Sequence, residues 1–284
     1  MKNKRFEIPL LTQILKSVTV ISIILSAVIG LGYYLALRDG FSFGIGHFDS
    51  SPWFHIFTLG IVTAAVLAAI FAFLCRGYGV ELTGKPSILE RCIMLLCFIV
   101  AALWPCRAFI TRALVNREPL TTVQKLAGIL TVFIVLAFLF AAFRSKKLAT
   151  TTAIFFILAA LAINFSIFVT YFDFSVPVNS PVRNVTTIMQ CSVLLFMISE
   201  ARFALPKESS RATAVFAAFV NIFTFTVCFG VSLAAILFGA LHPNAADPNL
   251  PNEWLMFFFA VSVAAFSRIT KLCLSLCDLP EEEE

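Results

Sequence analysis

The chain has 284 residues, of which 60% are hydrophobic and only 13% charged, and its mean hydropathy is +0.95. Soluble domains carry about 25% charged residues, and disorder requires the opposite bias, so both classes are excluded. The net charge of +5, from 21 Lys and Arg against 16 Asp and Glu, reads in so apolar a chain as a topology signal rather than a nucleic-acid footprint.

Residues 1–16 are basic and lead into an apolar run. That order resembles a signal peptide, but no small-x-small cleavage motif follows it. The expectation is an uncleaved first helix. A bilayer crossing takes roughly 20 mostly apolar residues. Eight such segments are predicted, at 17–37, 53–75, 88–110, 121–143, 149–171, 182–201, 212–240 and 252–275. All connections between them are short, which excludes a kinase, ATPase or nuclease module. The predicted fold is an all-α integral membrane bundle of about eight helices in four hairpins, one polytopic domain over 1–284 with both termini cytoplasmic. Residues 278–284, ending in Glu281 to Glu284, are expected as an acidic, solvated tail.

Orientation follows from the loop cations. With the N-terminus inside, fifteen Lys and Arg fall on the cytoplasmic side and six outside. A seven-span alternative with a re-entrant third segment gives twelve against nine, so eight spans are preferred. Trp53, Trp104, Trp254, Tyr33, Tyr34 and Tyr171 all fall near predicted outer ends, where amphipathic rings favour the headgroups. Short loops and the positive-inside pattern suggest a bacterial plasma membrane.

Pro52, Pro119, Pro181 and Pro251 each precede an even-numbered helix, at intervals of 67, 62 and 70 residues. Proline suits the first helical position, where its missing N–H costs nothing. Arg76, Arg144, Arg202 and Arg268 follow 17–25 residues later. Internal duplication would give this spacing, and so would any evenly divided eight-helix chain. Gly60, Ala64, Ala68 and Ala72 form a small-residue stripe on the second helix, and Ser22, Ser26 and Gly30 form another on the first. Such stripes let helices approach closely in lipid.

Three groups of residues are candidates for a site. Asn164, Gln190 and Asn221 lie within spans, with Thr186 one turn from Gln190. They form either a polar pocket between the fifth, sixth and seventh helices or interhelical hydrogen bonds worth about 0.6 kcal/mol each. Arg107, Arg112 and Arg117 cluster on the outer side, against the positive-inside pattern. Guanidinium forks suit phosphate and carboxylate, so an anionic lipid headgroup or small amphiphile could dock there. Snorkelling to the headgroups is the alternative. His47, His55 and His242 also fall outside, near Asp49, Asp173, Asp247 and Glu253. They are weak zinc candidates, because their spacing matches no metal motif.

The remaining polar residues carry less. The eight cysteines contain no CxxC pair, and most, including Cys273 and Cys277, read as small apolar packing residues. Glu200 with Arg202, and Glu90 with Arg91, mark inner helix ends and are expected as ion pairs with helix neighbours. No charged residue falls at mid-membrane, where a coupled pump would keep a carboxylate. HExxH, GxSxG, the P-loop and the dinucleotide fingerprint are absent. The expected function is a non-enzymatic accessory, sensor or interaction component without a cofactor. The alternative is a transporter or lipid-handling protein for an anionic or amphiphilic small molecule, and the third reading is an enzyme using the outer histidines. The expected partners are the lipid bilayer, an anionic lipid or small amphiphile, and a membrane protein partner, with no nucleic acid.

Overall fold

A computed structural model of the chain describes residues 4–42, 47–48, 51–80, 86–117, 119–172, 181–205, 211–242 and 252–278. Eight helices long and apolar enough to cross a membrane dominate it. They are α1 (Lys4–Gly40), α2 (Pro52–Leu74), α3 (Ile88–Val115), α4 (Thr122–Ala142), α5 (Ala149–Tyr171), α6 (Pro181–Ala204), α7 (Arg211–Leu241) and α8 (Asn252–Ser275). Two short antiparallel ladders accompany them. β1 (Phe41–Ser42) pairs with β2 (His47–Phe48), and β3 (Tyr78–Val80) pairs with β4 (Leu276–Asp278). The second ladder fastens the end of α2 to the end of α8.

Local sequence sets the helix boundaries. The basic leader is continuous with α1 from Lys4; Pro9 lies within the helix, and no further glycine or proline interrupts it before Gly30. Ser51 caps α2 by accepting the Trp53 N–H at 3.3 Å. Ser87 and Glu90 form a reciprocal capping box at the start of α3, as do Thr121 and Gln124 at the start of α4. Each box satisfies two of the orphan N–H groups that every helix start exposes. Pro52 and Pro181 open their helices as expected. Pro119 instead lies before the Thr121 cap, and Pro251 lies outside the described residues.

The third helix also departs from expectation, running to Val115 rather than stopping near 110. Pro105 has no N–H for the carbonyl four residues back, which would normally kink or break a helix. Here the backbone widens into a π-turn over Ala102–Cys106, and the Arg107 N–H reaches the Ala102 carbonyl, five residues back. A second π-turn covers Thr111–Val115, closed by the Asn116 N–H on the Thr111 carbonyl at 2.9 Å. Arg117 follows at φ 51°, a left-handed conformation that ends the helix.

One continuous apolar core draws side chains from all eight helices, among them Ile29, Phe57, Met94, Phe138, Phe156, Phe196, Phe225 and Phe257. The small-residue stripes face this core. Gly60 packs on Ile29, and Gly30 of α1 crosses Gly230 of α7 so closely that a Cβ on Gly30 would lie 2.9 Å from the Gly230 carbonyl oxygen. Tyr33 belongs to this packing and not to a headgroup belt. It is fully buried, with its ring 4.9 Å from Phe57, because the α1–α2 contact needs its volume. Burial is uneven: 67% of the most apolar window of α7 lies inside the bundle, against 28% for α3. Helix α7 is therefore central and α3 peripheral.

Candidate functional site

Charged side chains gather at one end of the bundle, where α3 begins and α6 and α8 finish. Arg268 of α8 donates from Nε and Nη2 to the two oxygens of Glu200 on α6, at 2.6 and 2.7 Å. Its Nη1 donates to Oε1 of Glu90 on α3 at 2.5 Å. Lys271 Nζ donates to the same oxygen at 2.8 Å, and the Ser87 N–H holds Oε2 at 2.8 Å. Arg268 and Glu200 are 5% and 2% exposed. At that burial an unpaired charge would be very costly, and the forked geometry is what makes burial tolerable. Arg144, in the α4–α5 turn, donates to the Phe203 carbonyl at 3.4 Å. Burial, and then the nearby Arg268 cation, push the Arg144 pKa below the usual guanidinium value.

This network corrects the expectation that Glu200 and Glu90 pair with helix neighbours. Arg202 instead donates to Thr213 at 2.9 Å, because residues two apart on a helix face different directions. A signal for the network was present in the sequence. Glu90, Glu200 and Arg268 each sit about one turn inside an apolar run, and charges placed so need partners.

The opposite end of the bundle carries the cavities. Arg107 and Arg112 line one groove of about 350 Å³ together with Trp104, Thr111 and Asn116, all from the π-helical end of α3. Both guanidiniums are exposed, and Arg107 has no acidic partner among the described residues. The widened turns matter here, since each π-turn inserts one residue and re-aims everything beyond it. Arg107 lies 19 residues beyond Ile88, about 28 Å along the helix axis, close to the thickness of a hydrocarbon core. Arg112 lies beyond that depth. The groove thus offers two cations and an indole ring at the far end of α3.

A second cavity of about 130 Å³ adjoins the groove, and Ala108 and Arg112 line both. Its walls come from α3 (Pro105, Phe109), α4 (Gly128, Thr131), α5 (Ser166) and α8 (Trp254). Ser166 accepts from Gln190 Nε2 at 3.0 Å, and Thr170 accepts from the same nitrogen at 3.1 Å. The Gln190 carbonyl oxygen is buried without a partner.

The structure therefore brings some predicted site residues together and separates others. Arg107 and Arg112 share the groove, while Arg117 lies past the helix end and outside its lining. Gln190 reaches the second cavity through Ser166. Thr186 is buried one turn before Gln190. Asn164 is half-buried and sits two residues from Ser166, on a different face of α5. Asn221 is fully buried, donating to its own helix at Ala217 with its Oδ1 unpartnered. Neither cavity is lined by Asn164, Gln190 or Asn221. Between α6 and α7 the buried polar contacts include Thr224 to the Ser192 carbonyl at 3.0 Å and Ser192 with Cys228 at 3.0 Å.

Among the described residues no three His, Cys, Asp or Glu side chains come together as metal ligands. His55 is exposed, and His242 lies 4.8 Å from the Phe238 ring. The side chains of His47, Cys273 and Cys277, and the acidic residues Glu281 to Glu284, lie outside the described residues.

The chain is thus a bundle of eight helices long and apolar enough to cross a membrane, with an ion network at one end and an arginine-lined groove at the other. No family model, curated protein or solved structure matches it.

Proposed function

We propose that the chain is a non-enzymatic, integral membrane protein that binds an anionic amphiphile at the outer end of α3. In this reading the eight helices form four hairpins in one unit, with both termini and the ion network on the cytoplasmic side. The loop cations support that orientation. A bacterial plasma membrane, suggested by the short loops, is the proposed location. Lipid handling is preferred here over a purely accessory role.

The observation that carries the reading is the groove that Arg107 and Arg112 share. Two arginines on the outer side run against the positive-inside tendency. Their forks match phosphate oxygens, and the groove's volume falls in the range of ligand sites. The Trp104 ring supplies an amphipathic wall of the type favoured at the membrane interface.

A thermal-melt panel on the detergent-purified chain tests this. Phosphatidylglycerol should raise the melting temperature and phosphatidylcholine should not, since a ligand of the folded state stabilises by mass action, about 2.7 kcal/mol at a hundredfold excess over Kd. The shift should disappear in Arg107→Gln/Arg112→Gln. An equal shift in that variant, or with the zwitterionic lipid, would overturn the reading.

A further inference from the structure

The groove and the cavity behind it share Ala108 and Arg112, so a ligand held at the arginines lies beside the cavity mouth. The cavity's polar lining residues are spread along the bundle axis. Arg112 and Gln124 line its outer part, where α4 begins. Thr131 lies seven residues beyond Gln124 along α4, about 10 Å deeper. Between them, Ser166 enters from α5, 8% exposed. Its oxygen accepts from Gln190, and its own proton has no acceptor among the described residues. The rest of the lining is apolar, including Phe109 and Trp254. The Arg112 cation and the Ser166 hydroxyl are the charged group and the unfilled donor of this otherwise largely apolar cavity.

Resting on the amphiphile-binding reading, we infer that the ligand is an ester-linked glycerophospholipid, held with its phosphate between Arg107 and Arg112 and one ester carbonyl accepting the Ser166 hydroxyl proton. A glycerophospholipid carries both an anion for the arginines and, close to it, an ester carbonyl for the Ser166 hydroxyl. A free fatty acid has no second acceptor below its carboxylate, and an ether lipid has a far weaker one. At about 130 Å³ the cavity admits one ester and the first carbons of one chain, leaving the second chain in the bilayer.

The test uses the full-length chain in a non-ionic detergent, titrated with ester-linked phosphatidylglycerol, with its ether-linked counterpart, and with inorganic phosphate, and read by native mass spectrometry. The ester lipid should bind about fivefold tighter than the ether lipid, the factor carried by one neutral hydrogen bond. Ser166→Ala should erase that difference and leave the ether affinity unchanged; Thr170 remains as an acceptor for Gln190, so the fold is retained. Ala127→Leu, which fills the cavity from α4, should also erase it. Equal binding of the two lipids by the unmodified chain, a preference that survives both variants, or phosphate competing as well as the lipid would each overturn the inference. Arg107→Gln should weaken both lipids by about tenfold, the effect of losing a charge-assisted hydrogen bond. Failure of that arm alone would strike the groove reading, whereas ester and ether parity with an intact Arg107 effect would strike only the ester assignment.

Discussion

Removing one partner of the ion network should destabilise the protein far more than removing two. In Glu200→Gln, Arg268 loses a bidentate carboxylate and meets an amide N–H₂ where an oxygen stood. A guanidinium that is 5% exposed then keeps only Glu90, at 2.5 Å, as a charged partner. Breaking a buried pair in this way costs about 3–5 kcal/mol, and the surviving Glu90 contact places the expectation near 3 kcal/mol. Glu90→Gln should cost less, about 1–2 kcal/mol, because Lys271 is 22% exposed and can turn to water. Replacing both members of the forked pair, Glu200→Leu with Arg268→Met, removes the attraction and the desolvation penalty together. Such replacements are often neutral or stabilising, so the double variant should be at least 2 kcal/mol more stable than the sum of its single variants predicts. The assay is reversible unfolding in mixed micelles, titrated with a denaturing detergent and followed by circular dichroism. A cost under about 1 kcal/mol for Glu200→Gln, or simple additivity in the cycle, would refute the view that these charges are desolvated and interdependent.

Further expectations concern the backbone and the buried amide. A Cβ on Gly230 would press on the Ser26 carbonyl of α1, so Gly230→Ala should cost about 1–3 kcal/mol in the same unfolding assay through overpacking. Gly239→Ala meets nothing within 4 Å and should be neutral or stabilising by up to about 1 kcal/mol. Pro105→Ala restores an N–H and permits an α-turn in place of the π-turn, rotating the end of α3 by about 100°. It should weaken phosphatidylglycerol binding although both arginines remain, and unchanged affinity would deny the π-turn a part in the site. Gln190→Leu trades two hydrogen bonds for the loss of an unpartnered carbonyl oxygen, and its melt should stay within about 1 kcal/mol of the parent.

Much of the helical architecture was legible because span length and hydropathy are collective properties. Eight windows of about twenty apolar residues leave few alternatives, and the expected limits of α2, α4, α5, α7 and α8 lie within a few residues of those observed. Side-chain pairing was not legible in the same way. Glu200 and Arg202 are neighbours in sequence, yet the partner of Glu200 is Arg268, 68 residues away. Only the packing of α6 beside α8 brings the two charges together. Tyr33 illustrates the same limit: its position near a helix end suggested the interface, and the α1–α2 contact buried it instead.

The arginine groove lies between these cases. Composition singled out Arg107, Arg112 and Arg117 because cations on that side were unexpected. An uninterrupted α-helix would place Arg112 five residues, or about 140°, beyond Arg107, on largely separate faces. The first π-turn ends before Arg107 and re-aims both arginines together, while the second begins between them and alters that phase. The first follows from Pro105, whose missing N–H forces the bonding to skip a residue. The second, over Thr111–Val115, contains no proline, so nothing comparable in the sequence announces it. Arg107 and Arg112 then share a groove while Arg117, past the helix end at φ 51°, falls outside it. How the pair is aimed against the bundle depends on backbone phase, set in part by one imino acid and in part by the second turn that begins between the two arginines. That is why charge counting found the residues but not which two of the three act together. It is also why Pro105→Ala, which leaves every charge in place, separates a groove that binds through geometry from one that binds through net charge alone.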